Sequence, residues 1–285
     1  MTTSSADTSF EQLGGFLRAC RARVGPEEVG LPVFGRKRRV AGLRREEVAQ
    51  LAGVSVDYYV RLEQGRGQHV SDAVLDAIGR ALRLDPTEYA HMWDLARPTR
   101  VSVRRPAPST ARPGVQVLLD RIDAPAFVLG RCMDVVAWNT LADALMGLSA
   151  MAPHARNMAR HAFLAPDAHT FYPEWEQVAA DTVGYLRLDA ARHPGDTRMA
   201  ALVEELSAGN PRFRPLWDAH QVAEKTHGTK RLRPAGGDPV DITYETLSLP
   251  GDPDLLLVVY TTGPRAEPVH AEPVRAEAGA ALGRP

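Results

Sequence analysis

Between Gly42 and Gly67 the chain reads GLRREEVAQLAGVSVDYYVRLEQGRG, and few folds accommodate that string. Apolar residues recur at helical spacing on both sides of Gly53, which predicts two short helices joined by a tight turn. Val48, Ala49 and Leu51 are placed on the inner side of the first helix, and Glu46, Glu47 and Gln50 on its exposed side. Acidic residues in a first turn also suit the helix dipole. Gly53 is expected where the chain turns sharply and the two helices come close, which a Cβ would resist. Ser55 follows as an N-cap whose hydroxyl can accept from a free backbone N–H, and Gly65 stops the second helix.

Successive helical residues advance by about 100°. Tyr58, Tyr59 and Leu62 therefore share one side of the second helix, and Val56, Asp57, Val60 and Arg61 the other. The first set can pack on the domain, while the second projects outward near the helix N-terminus. A helix presented in this way, with basic residues beside it, can enter a DNA major groove. Asp57 and Arg61 are candidates for base edges, since a carboxylate accepts from cytosine N4 and Arg reads guanine bidentately. Val56 and Val60 could touch a thymine methyl. Arg36, Lys37, Arg38, Arg39, Arg44 and Arg45 form a run with no acid among them. Such a run is usually a solvated face, but its place directly before the helix pair makes these six, with Ser55, the candidate phosphate contacts. Tyr58 either flanks the core or reaches the DNA backbone.

At these residues the chain resembles the lambda-repressor-like (XRE) helix-turn-helix family. LGGFLRACRARV supplies a first helix with Leu13, Phe16, Leu17, Cys20 and Val24 at helical spacing. SDAVLDAIGRALRLDPTEY supplies a fourth helix capped by Ser71 and a fifth entered through Asp85 and Pro86. The resemblance implies an all-α, five-helix DNA-binding domain over residues 10–97. It also implies that Arg45 stands where many relatives carry a phosphate-anchoring Gln, and that Glu63 pairs with Arg21 as an internal brace. Two solvated charges remain the alternative for that pair. The VGLPVFGRKRRVAG segment is longer than the family's usual connection and is characteristic of one branch.

A chain of 285 residues has room for a second domain of similar or larger size. Its formal net charge of −1 conceals an uneven distribution. Residues 1–100 carry 15 basic and 13 acidic side chains, a balance of +2, and the remainder carries 19 and 22, a balance of −3. The local basic run is therefore the meaningful quantity. Cys20 and Cys132 are the only cysteines, so neither a disulfide framework nor a Cys-based zinc site is indicated. There is no signal-peptide core and no apolar run near the roughly 20 residues of a membrane helix. A cytoplasmic protein with no membrane partner is expected. Residues 1–9 and the Pro/Ala/Glu-rich 263–285 are expected to be disordered, and the Pro/Arg-rich 98–113 to be a linker.

Residues 114–262 read as an α+β domain. PAFVLGRCMDVVAWN is strand, turn, strand, and TLADALMG is a short helix entered through Asn139 and ended by Gly147. Helices are expected over HARNMARHAFL, EWEQVAADTVGYLRLDAARH, MAALVEELSA and PRFRPLWDAH. PVDITYETLSLP and DLLLVVYTT close the domain as a hairpin through Gly251 to Pro253, completing one antiparallel sheet under a helical cover. This order is PAS-like, and the half resembles the MmyB-like ligand-binding domain that follows the same helix-turn-helix branch. VLGRCMDVVAWN, NMARHAFL, EWEQVAADTVGYLR, LVEELSA, FRPLW and ITYETLSLP carry that resemblance. It implies a transcription factor whose PAS-like domain holds a small apolar, fatty-acid-like effector. Relatives often carry His-Pro where this chain has Arg233-Pro234, a departure that bears on ligand preference.

Trp138, Arg156, Arg160, His161, Trp175, Tyr185, Phe213 and Trp217 are the candidate pocket residues. Asn139 is read as a helix cap in preference to a ligand contact. His154 and His161 lie on one predicted helix, two turns apart, which is too far for HExxH-type chelation. No nucleophile elbow, phosphate loop or dinucleotide glycine pattern appears in this half. No catalytic residue, metal or cofactor is expected. The reading is a homodimeric regulator of double-stranded DNA with an approximately palindromic operator. The alternative is a second domain that serves only dimerisation or a protein contact, with no small ligand.

Overall fold

Five helices form the N-terminal part of a computed structural model that describes residues 5–31, 42–66, 70–97, 110–234 and 236–261. They are α1 (Ser5–Arg23), α2 (Arg45–Leu51), α3 (Val56–Glu63), α4 (Asp72–Ala81) and α5 (Pro86–Ala96). α1 starts within the polar segment expected to be disordered, so residues 5–9 are helical. Leu13, Phe16, Leu17 and Cys20 form its buried stripe and meet Leu43, Val48, Tyr59, Leu62, Leu75, Ile78 and Met92 in one core. Side chains fix where the helices begin: Ser55 accepts from Tyr58 N at 3.2 Å and Ser71 from Val74 N at 3.4 Å. Asp85 and Glu88 bond each other's backbone N–H in a capping box with Pro86 at the first helical position.

Two expectations for the turn need correction. Gly53 has φ +66°, but nothing lies within 4 Å of where its Cβ would stand. The glycine is needed there for its left-handed backbone and not for close packing. Close approach occurs instead at Gly42, where a Cβ would lie 2.3 Å from the Arg21 carbonyl oxygen. Leu51, expected to face inward, is 37% exposed because it ends α2 and turns away from the core.

The C-terminal part begins with α6 (Pro113–Leu119), whose first residue closes the expected linker. β1 (Ala126–Leu129), β2 (Val135–Trp138), α7 (Thr140–Met146), α8 (Met158–Leu164) and α9 (Ala168–Phe171) follow. Next come α10 (Trp175–Arg192), α11 (Thr197–Gly209) and α12 (Phe213–Asp218), then β3 (His227–Leu232), β4 (Val240–Leu249) and β5 (Asp252–Thr261). The sheet order is β2-β1-β5-β4-β3, antiparallel at every pairing. One face packs under α7–α12 through Phe127, Leu129, Ile242, Val258 and Tyr260. On the other face α6 lays Val115 and Leu119 against Val128, Leu255 and Leu257. β1 is consequently buried on both sides, which is why it reads as an unbroken apolar run.

Three boundaries differ from the sequence expectation. HARNMARHAFL is not one helix: Pro153–Ala155 form a 3-10 turn, and α8 starts only after Asn157, whose side chain accepts from Ala159 N and Arg160 N. The closing hairpin turns at Pro250 and Gly251, while Pro253 already lies in β5. β3 was not anticipated at all, since HGTKRL carries too few apolar residues to announce a strand. The two parts touch where α5 lies on α10, and Ala191 and Val222 join the N-terminal core.

Candidate DNA interface and ligand cavity

α3 is held by its buried side and presents the other. Tyr59 is fully buried and Leu62 nearly so, whereas Val56 is 43% exposed, Asp57 and Arg61 are exposed and Val60 is half-buried. The four nominated base readers therefore share the open side of α3, Val56 and Asp57 in its first turn and Arg61 in its last. Tyr58 is half-buried beside them, its phenol shifted upward by burial.

Glu63, buried at the other end of α3, organises the neighbouring helices. Arg21 of α1 donates Nε to Glu63 Oε1 at 2.5 Å, and Arg45 of α2 donates Nε to Glu63 Oε2 at 2.7 Å. Arg21 also reaches the Leu43 carbonyl at 2.8 Å. Burial opposes ionisation of Glu63, but the hydrogen bonds from Arg21 and then Arg45 outweigh it and hold the carboxyl below its ordinary range. The brace exists and has a third member that the sequence did not suggest. Arg45, expected only as a phosphate anchor, spends its Nε on this structural role, and its side chain is 42% exposed. Arg44 is exposed and stands 3.5 Å from Glu46. Arg36, Lys37, Arg38 and Arg39 lie outside the described residues.

The second site is an apolar cavity of about 580 Å³ among the helices of the cover. Leu145 and Met146 of α7, Met151, Leu164 of α8, Phe171 of α9 and Pro234 form its greasy wall. Its polar lining is mixed: Arg160, His154 and His161 stand with the carboxylates Asp167 and Glu205. Arg160 is held by Glu205 of α11, with Nη2 to Oε2 at 2.7 Å. His161 shares its Nδ1 with the Tyr172 hydroxyl at 2.9 Å. Burial pushes its imidazole below the ordinary value against the pull of Asp167. An apolar volume of this size with a few convergent polar groups is the usual form of a small-molecule site.

Residues 111–271 match the MmyB-like transcription regulator ligand binding domain, and residues 12–92 match a helix-turn-helix domain. The first match spans more than half of the chain. The chain belongs to the MmyB-like family. It is a DNA-binding transcription regulator with a ligand-binding domain. No curated protein matches it. Among the described residues no helix is long and apolar enough to cross a membrane, and no cluster of three metal-ligating side chains occurs.

Within the MmyB-like domain the eight nominated pocket residues do not converge on one place. Arg160 and His161 line the apolar cavity. Arg156 lies over the half-buried Trp138 ring at 5.0 Å and lines an adjoining groove. Trp175 donates its indole N–H to the Ala162 carbonyl at 2.7 Å, and Phe213 packs edge-on to Phe163; both belong to the core. Tyr185 lines a polar cleft with Asp94 and Arg192 between the two domains. Trp217 stacks on Phe213, and the Arg187 guanidinium lies over its ring at 4.5 Å. Aromatic residues on helices are found by periodicity, but periodicity does not separate core from cavity wall.

Asn139 is the cap it was read as: its Oδ1 accepts from Ala142 N at 2.9 Å and its amide bonds three carbonyls of the preceding loop. His154 and His161, though not on one helix, line the same cavity. Arg233 is exposed and does not line it, while its backbone N–H bonds the Phe171 carbonyl at 2.8 Å and sets Pro234 against the cavity. The sequence also missed Lys230 on the helix-facing side of β3. Its ammonium donates to the Tyr260 hydroxyl at 2.6 Å beneath the ring of Tyr244, and burial pushes it down to about 8.

The joint between reader and MmyB-like domain is polar at its centre. Arg187 of α10 bonds His220 Nδ1 at 3.1 Å and the Trp217 carbonyl. The His220 ring sits against α1 so closely that a Cβ on Gly15 would lie 2.4 Å away. His91 of α5 is buried edge-on to Phe16, and neither ring nitrogen has a hydrogen-bond partner among the described residues. Burial, then the charges of Arg187, His220 and Arg192, push His91 down to about 3.

Proposed function

We propose that the chain is a sequence-specific regulator that binds an approximately palindromic operator as a homodimer and is controlled by a small apolar, fatty-acid-like effector. The exposed face of α3 supplies the reading side chains. Asp57 and Arg61 take base edges, and Val56 and Val60 take thymine methyls. Arg44, Arg45, Ser55 and the run Arg36–Arg39 grip phosphates. Two such helices in a symmetric dimer meet half-sites about one helical turn apart.

The observation that carries the effector reading is the cavity lined by Leu145, Met146, Met151, Leu164 and Phe171, with Arg160 and His161 among its polar groups. An aliphatic chain gains about 0.8 kcal/mol for each methylene it buries there, and the polar groups fix the head. The cavity is walled by α8, which packs on α10, and α10 carries the joint to the reader. A ligand that favours one arrangement of these helices shifts DNA affinity by its differential binding alone. Native mass spectrometry of the full chain mixed with decanoate, dodecanoate and palmitate tests the reading. One bound acid per subunit, lost in Leu164→Trp, supports it. No adduct with any of the three overturns it in favour of a domain used only for dimerisation or protein contact.

A further inference from the structure

The apolar cavity does not end at Arg160. Arg160 and His154 also line a second groove, of about 450 Å³, on the β2 side of α8. The two spaces share these residues in their linings and so adjoin as a trough, apolar-walled at one end and arginine-lined at the other. Four arginines line the groove: Arg131, Arg156, Arg160 and Arg198. Asp134 is the one carboxylate among the groove's lining residues.

The partners of these arginines differ in a way that matters. Arg131 is committed to Asp189 and Asp196, and its side chain is 14% exposed. Arg160 is held by Glu205 and Arg198 by Asp134. Arg156 has no carboxylate partner among the described residues. Its Nε donates to the Leu148 carbonyl at 2.9 Å and its guanidinium rests on the Trp138 ring. It is thus oriented by a carbonyl and a ring, with charge left over. Arg198 is 58% exposed and reachable at the groove edge.

A simple carboxylate head occupies one guanidinium and leaves the groove unused. Several guanidiniums spread along a groove match a head bearing several phosphate oxygens, which Arg binds as a planar fork. We infer that the trough takes an acyl chain carried on a phosphorylated head, of the kind found in a coenzyme A thioester. The acyl group lies among Leu145, Met151 and Leu164, and the phosphates lie along Arg156 and Arg198. This rests on the effector reading above and names the head group of the ligand in that same cavity.

Calorimetry on the full chain with decanoyl-coenzyme A, decanoate, decyl phosphate and coenzyme A tests it. Decanoyl-coenzyme A is expected to bind at least about tenfold tighter than decanoate, with decyl phosphate between them. Its affinity falls more steeply with salt than that of decanoate, since exposed charge pairs are screened. Arg198→Ala, at an exposed position, and Arg156→Ala each remove most of that advantage and leave decanoate binding unchanged. Decanoate binding as tightly as the thioester overturns the inference and leaves the effector reading standing. So does an equal loss of both ligands in the two variants, or coenzyme A binding as well as its acylated form. Decyl phosphate matching the thioester removes the nucleotide carrier from the inference. If none of the acylated probes binds, the cavity reading and this inference fall together.

Discussion

Glu63 shows how one side chain can hold a DNA reader in place. It lies at the end of α3, accepts from Arg21 of α1 and Arg45 of α2, and is buried between them. A buried carboxylate is tolerated only because two guanidiniums answer it. Removing it leaves Arg21, itself 12% exposed, without its partner. Glu63→Ala is expected to cost about 3 kcal/mol of reader-domain stability, within the range for a broken buried pair. Arg45→Ala, whose side chain is 42% exposed, costs far less. Chemical denaturation followed by circular dichroism checks both, and equal small losses would show that the brace contributes little. On the other side of the helix, Arg61→Ala is expected to lose about 1–3 kcal/mol of operator binding and to relax choice at one base pair. Binding measured across a set of single-base operator variants checks this. A uniform loss on every sequence would reassign Arg61 to a phosphate.

At the scale of elements, α5 and α10 make the joint through which the two domains meet. His91 of α5 is neutral there because burial and the nearby Arg187, His220 and Arg192 disfavour its charged form. Its folded value, about 3, lies below the ordinary 6.5. The unfolded chain therefore binds this proton more readily. The stability it contributes is fully present above pH 6.5 and is lost as pH falls toward 3. His220, pushed down to about 4 by burial and then by Arg187, acts in the same direction. Thermal unfolding of the wild type is expected to weaken below pH 6.5, by up to about 1.4 kcal/mol per pH unit for His91. His91→Phe, which keeps the ring and removes the proton site, should flatten that slope. An unchanged slope would place the acid sensitivity elsewhere.

Elements that announce themselves by local chemistry were the ones the sequence revealed. Ser55, Ser71, Asp85 and Asn139 are caps whose partners lie three residues away, so their role is written in the adjacent string. β1 and β5 are buried runs, and α3 has an unambiguous phase. What could not be read depends on distant partners. β3 is a strand because β4 lies beside it, and nothing in HGTKRL demands that. Arg45 joins the brace because α2 and α3 converge on Glu63, a fact of tertiary packing and not of spacing. Two of the candidate pocket residues show the same limit: Trp175 and Phe213 are as periodic as cavity walls but are held in the core by Ala162 and Phe163.

For the whole molecule, the arrangement is a reader, a joint and a cavity in mechanical series. α3 projects from a core that α5 closes, α5 rests on α10, and α10 packs against α8 beside the cavity. Allosteric control requires that ligand binding and DNA binding bias the same arrangement, and the coupling is then reciprocal. The most direct test measures operator affinity of the full chain with and without saturating decanoyl-coenzyme A or dodecanoate, using DNA enriched from a random library by the protein itself. The account predicts a shift of at least about fivefold in either direction, the lower end of ordinary coupling, and its loss in Leu164→Trp. An affinity that stays the same while ligand demonstrably binds would contradict it.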